Sequence, residues 1–260
     1  MAEGLRRVDH GDWLELRLAR PARRNALDRA TIEALAEAVE AAARRPGLRA
    51  LVLRGDGGRF CAGQDLNERY RRPGEPAPDL GAALRGGLNR VVAGLAALPA
   101  VAVAVVEGVA AGAGAGLALA CDLALMAEEA RLSLPFARLG LVPDTGLTWY
   151  LPRRAGRARA MGLALLGGEI GGAEAAAWGL VWQAVPQAGL DEALEALLGR
   201  LRAVPAGTVQ AVKRALRAAE TQGLGAQLRL EAALQAEAGR SAFYREAVAA
   251  FIERRREERR

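Results

Sequence analysis

The stretch AVAVAVV at residues 100–106 restricts the fold more than any other feature, because it is apolar at every position. A strand with one face in water alternates between apolar and polar residues, whereas a parallel strand covered on both faces is apolar throughout. A second apolar run, LALMA at 123–127, follows a segment rich in glycine and alanine. The two runs predict buried strands inside an α/β protein.

Periodic apolar residues predict the elements that precede these strands. Alternation over 13–20 and a short apolar run at 49–55 predict two further strands. Apolar residues at helical spacing predict one helix over 28–45 and another over 80–98. Asp28 is a suitable N-cap for the first of these helices.

The pattern changes along the second half of the chain. From Gly156 onward it is mostly helical, with one short strand predicted at 180–185. The polar, proline-rich segment at 67–79 is typical of a surface loop. We therefore expect an α/β core over residues 1–186 and a helical region over 187–260.

Charge and composition exclude several classes of function. The net charge of +6 would suit a nucleic-acid partner, but the arginines are interspersed with glutamates and aromatic residues make up only 4% of the chain. We therefore do not expect nucleic acid as a partner. His10 is the single histidine and lies in a turn near the start of the chain. Catalysis by a Ser-His-Asp or Cys-His group and histidine-rich zinc sites are excluded on this ground.

The cysteines and the hydropathy pattern point to the cytoplasm. Cys61 and Cys121 are far apart and have no spacing typical of a zinc site or a disulfide framework. No apolar run is long enough to cross a membrane, and no cleavable signal is recognisable. We expect a cytoplasmic protein with reduced cysteines, no metal and no membrane association.

Two loops rich in small residues are candidates for ligand binding. FCAGQDL at 60–66 and GAGAG at 112–116 each follow a predicted buried strand. Small residues let the backbone approach a ligand closely and direct amide groups at it. The second loop could instead pack a helix tightly on the sheet. A dinucleotide fingerprint does not fit, because the glycines do not follow the strand directly and the next helix is short.

Several segments taken in order resemble the enoyl-CoA hydratase/isomerase (crotonase) family. They are RRNALD, GRFCAGQDL, AAFIERR and the long segment from GVAAGAGAG to VPDTG. The resemblance covers essentially the whole chain. It implies a spiral core of ββα units, a C-terminal helical region that forms homotrimers or homohexamers (dimers of trimers), and acyl-CoA thioester substrates. Coenzyme A is then part of the substrate, and no separate cofactor is expected.

The family resemblance also implies where the substrate binds. The thioester oxygen would be held by two backbone amides, those of Ala62 and Ala113, and such preorganised donors are worth about 3–4 kcal/mol each. The adenine of CoA would lie near the backbone of Gln64, Asp65 and Leu66.

The same resemblance implies contacts for the charged part of CoA. Arg24, or the adjacent Arg23, is a candidate for a phosphate contact, and Phe251 with Arg254 or Arg255 resembles a patch supplied by a neighbouring subunit. Each arginine could equally be a solvated surface charge.

The acidic residues bear on the type of reaction. Family hydratases use two glutamates, and the corresponding positions here are Gly116 and Phe136, which cannot transfer a proton. Asp144 stands where family isomerases carry a single acid/base. One carboxylate suffices to move a double bond, because it can remove a proton from one carbon and return it to another. Asp144 and its neighbours also have good chemistry for a helix start, so a capping role is the alternative.

Apolar neighbours would affect both Asp144 and the substrate. Leu139, Val142 and Trp149 could partly desolvate the carboxyl and raise its pKa. Tyr70, Phe136 and Trp149 are candidate walls of an acyl pocket, although aromatic residues at such positions are more often part of the core.

The segment at 140–185, which contains Asp144, resembles the branch of the family that includes the ring-epoxide isomerase of phenylacetate breakdown (1,2-epoxyphenylacetyl-CoA). The predicted function is therefore an isomerase that shifts a double bond or rearranges a ring-epoxide thioester. The alternatives are an enoyl-CoA hydratase and, in a different class, a non-catalytic acyl-CoA-binding or RNA-binding member of the fold.

Overall fold

The computed structural model describes residues 4–258. Within this part of the chain, the strands are β1 Leu5–Asp9, β2 Trp13–Leu18, β3 Ala50–Gly55, β4 Val101–Val106, β5 Val109–Ala111, β6 Leu123–Ala127, β7 Arg131–Ser133, β8 Glu169–Gly171 and β9 Gln183–Val185. The α-helices are α1 Arg29–Ala43, α2 Leu80–Gly86, α3 Leu88–Ala97, α4 Ala113–Ala120, α5 Leu147–Ala155, α6 Arg157–Leu166, α7 Gly172–Ala177, α8 Leu190–Arg202, α9 Ala206–Ala219, α10 Leu224–Ala238 and α11 Ala242–Glu257.

A large sheet of six strands forms the centre of the α/β core, in the order β1-β2-β3-β4-β6-β9. Its strands pair in parallel except for β1, which runs antiparallel to β2. Every residue of β3 and of β4 is buried. The buried strand predicted from the apolar run at 100–106 is confirmed, since β4 lies between β3 and β6 with helices covering the sheet.

A smaller sheet, in the order β5-β7-β8, lies beside the large one. After β4 the chain enters β5 of the small sheet, forms α4, returns to β6 of the large sheet and then enters β7 of the small sheet. From β4 to β7, successive strands thus alternate between the two sheets, and helices follow both of these pairs. This arrangement confirms the predicted α/β fold built from ββα units, and it leaves the N-terminus of α4 next to the end of β5.

The helix predicted over 80–98 is interrupted. Gly87 has φ −122° and ψ −97°, which ends α2 and starts α3 in a new direction. A Cβ atom at Gly87 would lie 2.8 Å from Cγ2 of Ile32 on α1, so only glycine allows this close approach. Periodicity alone could not reveal the break, because both halves keep the helical spacing.

Internal contacts divide the chain into two compact units, and the boundary along the sequence falls between Leu201 and Arg202. This position lies beyond the boundary predicted at residue 186. The difference arises because α8 packs with the core: Leu190, Leu194 and Leu198 are buried. The second unit consists of α9, α10 and α11, so the predicted helical C-terminal region is present. None of the helices in the described residues is long and apolar enough to cross a membrane.

Candidate active site

Backbone hydrogen bonds join the loop at 60–66 to two other parts of the core. Cys61 pairs with β5, because its amide donates to the Val109 carbonyl at 3.0 Å and its carbonyl accepts from the Ala111 amide at 2.8 Å. Further along, Leu27 donates to the Gly63 carbonyl and accepts from the Asp65 amide. The loop is therefore held rigidly between the start of α1 and the small sheet.

The amide of Ala62 is not available for a substrate. It donates to the carbonyl of Arg24 at 3.0 Å, so the prediction that Ala62 supplies a free amide is wrong. The amide of Gln64, two residues later, has no acceptor among residues 4–258. Because the Gly63 carbonyl and the Asp65 amide both face Leu27, the Gln64 amide points away from Leu27.

The second candidate amide belongs to Ala113, the first residue of α4. Gly112 precedes it with φ +52°, a conformation that favours glycine, and its amide donates to the Ser133 carbonyl. The Ala113 amide has no acceptor within the described chain, as expected for the first turn of a helix. A Cβ atom at Gly63 would lie 3.5 Å from the Ala113 nitrogen. The two loops therefore bring the free amides of Gln64 and Ala113 to the same place.

Asp144 lies in the turn that leads into α5 and is half-buried. Its Oδ1 accepts a hydrogen bond from the Thr145 hydroxyl at 2.7 Å, and its Oδ2 accepts one from Gln64 Nε2 at 3.3 Å. Burial raises the pKa of Asp144 above the ordinary value, while the Thr145 hydrogen bond and the charge of Arg69 oppose that rise. The structure thus brings Asp144 to the loop that carries the Gln64 amide.

The capping alternative for Asp144 is not supported. Helix α5 begins at Leu147, and its N-cap is Gly146, which has φ +81° and makes no side-chain cap. Among residues 4–258, the carboxylate of Asp144 accepts from the Thr145 hydroxyl and the Gln64 side chain and from no backbone amide of α5, so it does not cap the helix.

The three apolar residues expected to desolvate Asp144 are themselves exposed to solvent. Leu139, Val142 and Trp149 are 55%, 75% and 38% exposed. Burial does raise the pKa of Asp144, and a share of these three side chains in that burial stays a prediction.

The positions that carry glutamates in family hydratases are filled differently here. A Cβ atom at Gly116 would come within 2.6 Å of the Cβ atom of Thr145, so Thr145 occupies the space beside this glycine. Phe136 is buried, and its ring lies 3.7 Å from the position of a Cβ atom at Gly112. A close-packed turn and an apolar ring thus take the place of two proton-transferring groups.

Thr145 was not recognised as a site residue from the sequence. It is buried and has φ +53°, a left-handed conformation that is uncommon for a β-branched residue. This strained backbone places the hydroxyl on Asp144 and the methyl group against Gly116. The only sequence signal was its position directly after Asp144, which does not indicate its conformation.

Asp65 is a helix N-cap, as the sequence predicted. It caps the short 3-10 helix at 66–68, where its carboxylate accepts from the Asn67 amide at 3.1 Å, and it forms an ion pair with Arg20 at 3.1 Å. The hydrogen bond from the Asn67 side chain is the main reason that the pKa of Asp65 is lowered. Its side chain is thus committed to the loop, and contact of its backbone with adenine stays a prediction.

The other predicted CoA contacts lie on the surface. Arg23, Arg24 and Leu66 are exposed, and Arg24 has φ +53° in the turn that precedes α1. Phe251 and Arg254 lie on α11 in the second compact unit, where Phe251 is exposed. Their contact with CoA is not tested by the structure and stays a prediction.

A cavity of about 750 Å³ opens beside the loop at 60–66. Its walls come from α1, from the segment that follows Gln64, and from α2 and α3; they include Ile32, Gln64, Arg69, Leu80, Gly87 and Leu88. Tyr70 is 70% exposed and does not line this cavity, and the Trp149 ring stacks under the Arg153 guanidinium at 3.2 Å. Neither ring therefore lines this cavity, nor does Phe136, and the roles of these three aromatic residues as walls of an acyl pocket stay predictions.

The thiol nearest the site has no role in proton transfer. Cys61 is fully buried, and this burial raises its pKa to about 12. A thiol with such a pKa stays protonated at neutral pH and is a poor nucleophile. Within the described part of the chain, no group of three or more His, Cys, Asp or Glu residues is arranged to hold a metal ion.

Comparison with curated proteins places these features in a family. A family model described as enoyl-CoA hydratase/isomerase matches residues 12–259. The 1,2-epoxyphenylacetyl-CoA isomerase of Escherichia coli K12 is 46% identical, over 93% of this chain and 92% of that protein. The 2,3-dehydroadipyl-CoA hydratase of the same organism is 35% identical, over 93% of this chain and 92% of that protein.

Solved structures show the same likeness in three dimensions. An enoyl-CoA hydratase from Bacillus anthracis superposes with a TM-score of 0.89 at 28% identity, covering 97% of both chains. A Thermobifida fusca protein, whose structure was solved in complex with acetoacetyl-CoA, superposes with a TM-score of 0.81 at 35% identity, covering 91% of this chain and 94% of that one. The chain therefore belongs to the enoyl-CoA hydratase/isomerase family and has the crotonase fold.

Proposed function

We propose that this protein is an acyl-CoA isomerase in which Asp144 is the single proton-transferring group. The observation that carries the proposal is the half-buried Asp144 carboxylate, which lies 3.3 Å from the Gln64 side chain on the loop bearing a free amide. The raised pKa of Asp144 suits a group that must both take and return a proton.

The oxyanion would be held by the amides of Gln64 and Ala113. Removal of a proton next to a thioester places negative charge on the thioester oxygen. Both amides lack an acceptor within residues 4–258, and the Ala113 amide stands at the N-terminus of α4, where the helix dipole favours negative charge. Two donors fixed in advance stabilise the enolate without reorganisation at the moment of reaction.

The proton balance is complete with one carboxylate. Asp144 removes a proton from a carbon in conjugation with the thioester, and the electron pair moves onto the thioester oxygen as an enolate. When the enolate collapses, the double bond forms at its new place and protonated Asp144 returns the proton to a different carbon. No water is consumed, so the reaction needs no group at residue 116 or 136.

Hydration is the less favoured reaction for a physical reason. Addition of water needs one group to activate the water and another to supply a proton, and the residues at the two hydratase positions are Gly116 and Phe136. The methyl group of Thr145 fills the space beside Gly116, which leaves little room for an ordered water there. A ring-epoxide thioester is our leading candidate substrate on the strength of the 46% identity to the 1,2-epoxyphenylacetyl-CoA isomerase of E. coli, whereas the proton balance above describes the shift of a double bond.

The proposal is tested by incubating the purified protein with a 3-enoyl-CoA and, separately, with a 2-enoyl-CoA. Conjugated thioester absorbance and product mass are followed together. We expect the 3-enoyl-CoA to isomerise at constant mass and the 2-enoyl-CoA to gain no water. Gain of water would make the protein a hydratase and would require that another group replace the missing glutamates.

We also propose that the protein assembles as a homotrimer or homohexamer in the cytoplasm. Support for assembly comes from the C-terminal helices, where Phe243, Val248, Phe251 and Ile252 are exposed on α11 of the single chain. Large apolar side chains grouped on one helix are typical of a protein contact. Light scattering on the full chain should give a mass of three or six subunits, and a monomer would contradict this part of the proposal.

A further inference from the structure

The cavity beside the active-site loop contains an arginine without a partner. Arg69 is half-buried and lines the cavity together with Gln64. Its guanidinium makes no hydrogen bond or ion pair within residues 4–258. A guanidinium has five donors and no acceptor, and leaving it unpaired in a partly desolvated place costs free energy.

Three acids that line the cavity with Arg69 have other partners. Glu68 accepts from the backbone amide of Arg29 at 2.9 Å, and Asp65 pairs with Arg20. Asp79 accepts from the Ala82 amide as the N-cap of α2. Glu33, the fourth acid of the cavity wall, lies 3.8 Å from Arg90. Within residues 4–258 none of these four carboxylates pairs with Arg69, so its donors are available to a ligand.

Arg69 also lies on the reacting side of the site. The positive charge of Arg69 lowers the pKa of Asp144. Burial lowers the pKa of the Arg69 guanidinium, and the negative charges of Asp144 and Glu68 oppose that decrease. Gln64 lies between Arg69 and Asp144, because its side chain lines the cavity with Arg69 and donates a hydrogen bond to the Asp144 carboxylate. A ligand group that reached Arg69 would thus be close to the atoms that exchange protons.

We propose that Arg69 is a specificity-determining residue that donates hydrogen bonds to an oxygen on the acyl group of the substrate. The substrates are then acyl-CoA thioesters that carry an ether, hydroxyl, carbonyl or carboxylate oxygen near the reacting carbons, in preference to plain hydrocarbon acyl groups. A hydrogen bond from a charged donor to such an oxygen discriminates by roughly ten-fold to a hundred-fold against a ligand that lacks it. This inference rests on the proposed function, since it assumes that the acyl group extends from Asp144 past Gln64 into the cavity, whose walls include Gln64 and Arg69 but not Asp144.

The test is a binding measurement with pairs of thioesters that differ only in oxygen. Phenylacetyl-CoA is compared with 2-hydroxyphenylacetyl-CoA, and hexanoyl-CoA with adipyl-CoA, by calorimetry on the full chain. None of these thioesters has an acyl double bond that can shift, so the result does not depend on isomerase activity. The first pair reports on a neutral oxygen and the second on a carboxylate.

The variants are Arg69→Met, Arg69→Lys and the matched control Arg85→Met. Arg85 is exposed on α2 and does not line the cavity. The Arg85→Met substitution removes the same positive charge as Arg69→Met. We expect the wild type and Arg85→Met to bind at least one oxygenated thioester about ten-fold or more tightly than its partner. Arg69→Met should lose this preference while it binds the plain thioesters as before, and Arg69→Lys should keep part of it.

Two results would overturn the inference. One is the absence of any preference in the wild type. The other is an equal loss of affinity for both members of each pair in Arg69→Met, which would assign Arg69 to the CoA moiety that all four ligands share. If the 3-enoyl-CoA assay shows no isomerase activity while the oxygen preference depends on Arg69, the proposed reaction fails and the role of Arg69 stands.

Discussion

The side chain of Thr145 fills the space into which a side chain on Gly116 would extend. A Cβ atom at residue 116 would lie 2.6 Å from the Thr145 Cβ atom and 2.8 Å from the Thr145 carbonyl oxygen, far closer than the roughly 3.5–4.0 Å of a normal carbon contact. The turn that carries Asp144 can therefore pack against α4 only because residue 116 lacks a side chain.

Restoring the first hydratase glutamate should not restore hydration. Gly116→Glu is expected to destabilise the fold by about 1–3 kcal/mol, the usual cost of overpacking, and to displace the Asp144 turn. Thermal denaturation and the 3-enoyl-CoA assay measure the two effects. Adding Thr145→Gly to this variant should recover part of the stability, because glycine vacates the space and suits the left-handed backbone. A stable, hydrating Gly116→Glu single variant would contradict the packing argument.

The Thr145 hydroxyl should set the pH dependence of the reaction. It donates to the Asp144 carboxylate and so lowers the pKa of that group against the larger effect of burial. Removing the hydroxyl in Thr145→Ala should raise the pKa of Asp144 further and shift the acidic limb of the kcat/KM profile to higher pH. Thr145→Ser keeps the hydroxyl and should leave the limb in place. Identical profiles for the two variants would show that the hydrogen bond has no such role.

The raised pKa of Asp144 also predicts how stability changes with pH. A carboxyl whose pKa is higher in the folded state contributes stability only while it is protonated, and this contribution is lost as the pH rises through the folded pKa. Asp144→Asn cannot ionise, so its Tm should rise relative to that of the wild type as the pH is raised through the folded-state pKa of Asp144. Near pH 3, where Asp144 is protonated in both states, the two proteins should melt alike. A lower Tm at pH 7 would mean that the charged carboxylate is a net stabilising group.

Cys61 should be dispensable for the chemistry. Its side chain is buried, its pKa is raised to about 12, and its sulfur accepts a weak hydrogen bond from the Gly63 amide at 3.4 Å. Cys61→Ala is expected to keep kcat/KM within a few-fold of the wild type and to lose about 1 kcal/mol of stability through the small cavity. Thiol reagents should leave the native enzyme active. Inactivation by such a reagent under native conditions would contradict the burial of the thiol.

The sequence predicted most of the fold because the relevant signals are local. The unbroken apolar run of β4 and the N-cap at Asp28 both appear where expected, and Asp28 accepts from the Thr31 amide at 2.8 Å. The break at Gly87 is not visible in the apolar spacing, which continues through both helices, and the close approach of Ile32 that glycine allows there is a contact between distant parts of the chain.

The candidate site was predicted less completely, for a similar reason. The two loops and Asp144 were found from motifs, but which amide is free depends on long-range hydrogen bonds. The Ala62 amide is taken by the carbonyl of Arg24, and this leaves Gln64 as the donor that faces Ala113. Thr145 and Arg69 were missed because their importance lies in contacts and in unmet hydrogen bonding, which neither spacing nor residue type reveals.

The kinetics of Asp144→Asn test the one-acid mechanism most directly. Asparagine keeps the size of the side chain and can still accept from the Thr145 hydroxyl, but it cannot take a proton. With a 3-enoyl-CoA, we expect kcat/KM for isomerisation to fall by about a hundred-fold to ten-thousand-fold, with acyl-CoA affinity and folding retained. An Asp144→Asn protein that isomerises the 3-enoyl-CoA at the wild-type rate would contradict the assignment of Asp144 as the acid/base.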